Sequence, residues 1–263
     1  PGLLALPDDR ILGARVFEGL SDAFDTLADV AGEAAPPELA RLQKELESAY
    51  DSRPATVPAA WRWLDRLAAL TAGVAGTFDA SPESEVKWWA QVLARQCRSA
   101  LDDLTFLAPW LLLPAAPGRL GDFPDIGGIP TLREVARLEA EWLPAIGHRL
   151  GADATSEEIG WLDQLRQAVS EASRRAHERI ATLERLALQC GELSRMEHDF
   201  LYDRARHVLA IGYNVGERRR DSSYYDLLAS ESRLASFVAI AQGQLPQESW
   251  FALGRLLTNA GGE

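Results

Sequence analysis

Between Ser156 and Glu197 the chain runs on without a proline, and glycine interrupts it only at Gly160 and Gly191. Ile159, Leu162, Leu165, Val169, Ala172, Ala176, Ile180, Leu183, Leu186 and Leu188 recur at three- and four-residue steps, so they lie along one helix face. An uninterrupted stripe of that length constrains the fold more than any other feature of the chain. It predicts one long helix packed in a helical domain, with a coiled-coil arm as the alternative reading of its approximate heptad seam. Thr155 and Glu158 form the expected capping box at its start. Trp161 and His177 read as packing and surface residues.

The same period recurs upstream. Helices are expected over Ala14 to Glu33, from the Pro36–Pro37 pair to about Tyr50, and over Val57 to Gly76. Another is expected from a Ser81–Pro82 start to about Leu107. The prolines and glycines between Pro109 and Pro130 predict a long irregular connection. Thr131 with Glu134 opens a helix through Leu143. Cys97 and Cys190 both fall among helical-period residues and read as buried free thiols. The segment Leu104 to Ala116 is short and broken by Pro109 and Pro114, so no membrane span is expected. A net charge of -12 excludes a phosphate backbone as natural partner and is compatible with a neutral, hydroxyl-rich ligand. The chain opens PGLLALPDD and closes TNAGGE directly after a helical pattern, which reads as a piece of something longer.

After Asp199 the period changes. FLYD and HVLAIGYN, separated by DRAR, predict a two-stranded hairpin flanked by His198 and His207. A helix is then expected from Asp221 or Ser222 to Ala241, stopped by Gly243, with a last helix from Pro246. Within the first of these, Tyr224, Leu227, Leu228, Glu231, Leu234, Ala235 and Val238 share a face, placing one carboxylate in an apolar stripe. Such an acid is either paired, with Arg233 or a hydroxyl, or kept protonated by its surroundings and able to donate. No GxGxxG, Walker A, HExxH or CxxC pattern occurs, and no metal site is expected. Tyr213, Tyr224, Tyr225, Asp226, Glu231 and Trp250 fall close together, with Arg233 and Arg255 nearby. Carboxylates beside aromatic rings suit sugar chemistry, and the same tyrosines can equally be packing residues. Arg218, Arg219 and Arg220 read as a solvated loop, or as neutralising Asp221 or Asp226.

On those residues, IGYNVGERRRDSSYYDLLASESRLASFVAIAQGQLPQESWFALGRLLT resembles the start of the glucoamylase-like region of cyclic β-1,2-glucan synthases. PTLREVARLEAEWLPAIG resembles the helical region that precedes it there. The resemblance implies a mainly all-α chain. Residues 1–197 would be a helical accessory region and 198–263 the beginning of an (α/α)6 barrel carrying one short β-hairpin. It implies a parent enzyme at the cytoplasmic face of the bacterial inner membrane. There, UDP-glucose is used by a separate module and no cofactor is needed in this segment. The barrel would close linear β-1,2-glucan into a ring by retaining transglycosylation. Glu231 would be the general acid/base, and Tyr213, Tyr224, Tyr225, Asp226, Arg233 and Trp250 would bind substrate or support the site. Ser249 departs from the family, which often has histidine there, and could alter a sugar contact. The nucleophilic glutamate would lie beyond this chain, leaving the segment inactive without the remaining domains of its parent. A β-1,2-glucan hydrolase of the same fold, or a non-catalytic helical interaction module, are the rival readings.

Overall fold

The computed structural model describes residues 2–13, 15–32, 36–78, 84–120, 127–150 and 154–254. It is mainly α-helical and divides into two compact units, residues 1–187 and 188–263.

The first unit is helical throughout its regular structure. After a short α1 (Gly2–Ala5), helices α2 (Arg15–Ala31), α3 (Pro37–Ser52), α4 (Val57–Thr77) and α5 (Glu85–Leu107) pack in sequence, with α5 also returning against α2. Each obeys its stripe. Phe17, Leu20, Phe24 and Leu27 of α2 are buried, as are Leu93, Cys97, Leu101 and Leu104 of α5. The cap of α5 is Ser84, whose hydroxyl accepts from the Lys87 amide, and not the expected Ser81; Ser81 and Pro82 lie outside the described residues. The proline-rich connection is less irregular than expected. It holds two 3-10 turns, Pro109–Leu112 and Gly118–Leu120, and buries Trp110 and Leu120 in the core.

Helix α6 (Leu132–Arg149) starts at the expected capping box: Glu134 N donates to Thr131 Oγ1 at 3.2 Å and Thr131 N to Glu134 Oε2 at 2.7 Å. It does not stop at Leu143 but continues through Pro144, because the extra turn buries Ile146. Helix α7 (Ser156–Leu193) is the long helix expected. Its Thr155–Glu158 box is present, and Leu162, Leu165, Val169 and Ala172 enter the same core as α2–α5. Ser173 is buried between α6 and α7. Its hydroxyl donates to Val135 O and accepts from Glu139 N, both at 2.9 Å, so a helix-ladder step is bridged by a side chain. Cys97 is fully buried and burial raises its thiol pKa to about 11, whereas Cys190 is exposed, against expectation. No described helix is long and apolar enough to cross a membrane.

The second unit holds the expected hairpin. Strands β1 (Tyr202–Asp203) and β2 (Val208–Ala210) pair antiparallel, Tyr202 opposite Leu209. A second hairpin pairs β3 (Tyr213–Asn214), from the end of the expected strand, with β4 (Arg219–Arg220), within the triplet expected as a solvated loop. Arg219 pairs with Glu217 at 2.6 Å, and Arg220 donates to the Tyr202 carbonyl, so the basic triplet is partly structural. Helix α8 (Ser232–Ala241) and α9 (Glu248–Ala252) follow. Gly243, at φ 72°, turns the chain after α8 in a conformation that favours glycine.

Candidate functional site

The helix expected from Asp221 begins ten residues later than Ser222 would place it, at Ser232. Three competing sets of hydrogen bonds hold the intervening residues out of a helix. Tyr224 and Tyr225 form strand β5 (Tyr224–Tyr225), which joins β2 with Tyr225 opposite Leu209. Asp226 to Leu228 pairs with Gly254 instead: Leu228 N donates to Gly254 O at 3.0 Å and Gly254 N to Asp226 O at 2.5 Å. The hydroxyls of Ser230 and Ser232 both donate to Leu227 O, at 2.6 and 2.8 Å, closing a turn that competes with the helix. The stripe from Tyr224 to Val238 is therefore not one helix face.

Helix α8 also turns the other way. Ser232, Ser236 and Ala239 are its buried residues, while Leu234 is 69% exposed and Phe237 60% exposed. Glu231 occupies the N-cap position (φ -56°, ψ -24°) without a side-chain capping bond and is exposed. Neither the shelter nor the arginine partner expected from the sequence is present among the described residues.

What the fold does supply is a cavity of about 500 Å³ beside Glu231. Its walls are chiefly apolar, including Leu201, Leu209, Ala210 and Ala235, with Tyr225 from β5 and Phe200 before β1. Phe200 also meets the edge of Tyr213, ring centroids 5.6 Å apart. Glu231, Tyr225 and, through Phe200, Tyr213 are thus gathered at one place. The other expected residues are not. Tyr224, its strand neighbour, projects from the opposite face; its hydroxyl donates to Asp203 Oδ2 at 2.9 Å and Arg206 stacks 4.7 Å from its ring centre. That bond, foremost, with the Arg206 and Ala205 amides and the Arg220 charge, holds the Asp203 carboxyl below its ordinary value. Asp226 and Arg233 are exposed and line no part of this cavity. Trp250 is half-buried and meets Phe237 at 6.1 Å. Arg255 lies outside the described residues.

From the sequence, His198 is placed beside the hairpin and no further role is expected of it. It is buried, lines the cavity, and has Nε2 3.1 Å from Gln244 Oε1. A second link, Gln242 Nε2 to Ser194 Oγ at 3.0 Å, joins the same two segments. Residues before β1 are thereby tied to the turn after α8, a pairing with no local sequence signal. Ser249 is 2% exposed and its hydroxyl donates to the Tyr202 hydroxyl at 3.3 Å. Its place is inside the unit, against Tyr202.

No family model matches the chain. Over 66 residues it is 48% identical to "Cyclic beta-(1,2)-glucan synthase NdvB" of Rhizobium meliloti (strain 1021). The match takes in 25% of this chain and 2% of that relative's length. It bears out the resemblance to cyclic β-1,2-glucan synthases.

Proposed function

We propose that the chain is part of an enzyme of β-1,2-glucan metabolism, and that its second unit contributes Glu231 as general acid/base to retaining transglycosylation. The observation that carries this reading is the placement of Glu231 with Tyr225 on one cavity wall, in a chain 48% identical over 66 residues to a cyclic glucan synthase. Glycosyl transfer with retention needs a carboxylic acid at the leaving oxygen and a nucleophilic carboxylate about 5 Å from it. Glu231 fills the first role. The second falls to a residue outside this chain, and the chain alone is inactive.

The exposure of Glu231 shapes the mechanism. A proton donor works when its charged form is disfavoured, and burial is the common cause. Here the cover comes from the remaining domains of the longer enzyme and from the bound sugar. Tyr225 and Phe200 offer ring surface to a pyranose, and Glu197, His198 and Ser232 put polar groups on an otherwise apolar lining. Transfer instead of hydrolysis follows if the completed site holds an acceptor hydroxyl and excludes water. The glucan is met at the cytoplasmic face of the inner membrane, with UDP-glucose consumed in a separate module.

Replacing Glu231 by Gln in the full-length enzyme tests this. Ring formation should fall by about 10²–10⁴-fold while the protein keeps its fold, since the exposed side chain packs against little. Product analysis separates transfer from hydrolysis: cyclic glucans mark the first and short linear ones the second. The exposure of Glu231 favours one rival, a non-catalytic helical interaction module. Unchanged glucan turnover in the Gln variant would establish that rival and remove Glu231 from catalysis.

A further inference from the structure

A second cavity, of about 750 Å³, lies wholly within residues 1–187 and belongs to none of the chemistry above. Three arginines line it, from three separate elements: Arg10, Arg15 in the first turn of α2, and Arg179 of α7. The backbone around Arg10 is pinned. Ile11 N donates to Pro130 O at 2.9 Å, Leu132 N to Asp9 O at 3.3 Å, and Arg10 bridges Thr131. Arg179 is already matched, donating to both oxygens of Asp103 at 3.0 and 2.6 Å. Arg10 and Arg15 are not: among the described residues neither guanidinium takes part in an ion pair or hydrogen bond. One carboxylate, Asp9, shares the lining. The rest of the wall is apolar, with Leu107, Leu132 and Leu183 among its residues.

Arg10 and Arg15 are both exposed, and both line one concavity in a chain of net charge -12, where carboxylates outnumber cations. Planar guanidinium groups recognise oxyanions by paired hydrogen bonds, and phosphate oxygens fit that fork. An apolar wall beside them selects a ligand whose anionic head is joined to a hydrocarbon body. We propose that this cavity binds a phosphate group carried on an apolar chain, with Arg10 and Arg15 on the phosphate and the leucine wall on the hydrocarbon. Because every residue involved lies in the first unit, the proposal does not depend on the glucan reading.

The test is calorimetric titration of the full chain with monomeric dodecyl phosphate, with dodecyl maltoside as the uncharged probe of the same tail and inorganic phosphate as the head alone. Dodecyl phosphate should bind at least about tenfold more tightly than either, and weaken as salt is raised. The Arg10→Gln/Arg15→Gln double variant should lose about tenfold or more of that affinity, while Arg66→Gln, whose partner Glu45 is elsewhere, should not change it. Circular dichroism confirms that the variants fold. Flotation with phosphatidylcholine vesicles, with and without phosphatidic acid, then distinguishes a bilayer headgroup from a free ligand. Retention by the acidic vesicles alone, lost in the double variant, assigns the phosphate to a lipid surface; binding of the monomer without flotation assigns it to a free amphiphile. Equal affinity of the double variant and the unmodified chain for dodecyl phosphate, or no binding of that probe, overturns the proposal.

Discussion

Helix α5 of the first unit and helix α8 of the second use their apolar residues in opposite ways. In α5, Leu93, Leu101, Leu104 and Leu107 face a shared core and are nearly inaccessible. In α8 the small residues Ser232, Ser236 and Ala239 are inside, and Leu234, Phe237 and Val238 face outward. Both helices are amphipathic by sequence. The difference lies in what is available to cover them: α5 has α2 and α4 beside it, while the core of the second unit is built around Tyr202, Ala239 and Leu245. Small residues let a helix approach a sheet closely, and the large ones are then left over. Periodicity states which residues share a face; it does not state which face will find a partner.

The sharpest way to break the comparison is a pair of truncations. Leu64→Ala removes a fully buried side chain from the first unit and should cost about 2–5 kcal/mol in urea unfolding. Leu234→Ala, on the outward face of α8, should stay within about 0.5 kcal/mol. Equal losses would mean that the outward face of α8 is covered in solution. A smaller effect is expected at the start of α7. Thr155→Ala deletes the hydroxyl that accepts from Glu158 N at 3.2 Å and should cost about 1 kcal/mol, read in the same unfolding transition as Leu64→Ala.

The smallest effect sharpens the second unit alone. Asp203 is held below its ordinary value, so the stability it confers is present above that value and lost as pH falls through the lowered one. Tyr224→Phe removes the leading cause. Asp203 should then titrate closer to an ordinary aspartate, and the acid weakening it contributes should be smaller and complete at a higher pH. Carboxyl resonances followed by NMR through an acid titration check this; an unmoved Asp203 would assign the shift to the Arg206 and Ala205 amides and to Arg220 instead.

Where local rules acted alone, the structure follows them. The Thr131–Glu134 and Thr155–Glu158 boxes, the length of α7 and the turn at Gly243 depend on neighbours a few residues apart. The hairpin β1–β2 was readable from alternation, whereas β3–β4 was hidden because Arg219 and Arg220 carry no apolar pattern. At the candidate site, Glu231 and Tyr225 were legible by residue type. Their meeting on one cavity wall, the separation of Tyr224 from Tyr225, and the role of His198 were not.

The amino-acid order by itself determined the helices of the first unit and the resemblance to glucan synthases, since both rest on spacing and identity along the chain. The tertiary structure alone decided that Glu231 stands at a helix start in the open. Pairing of Asp226 and Leu228 with Gly254, and of Tyr225 with Leu209, drew the preceding residues out of the helix that their periodicity favoured. Hydrogen bonds to distant strands satisfied the backbone as well as a helix would, and a one-dimensional pattern contains no information about where those partners lie.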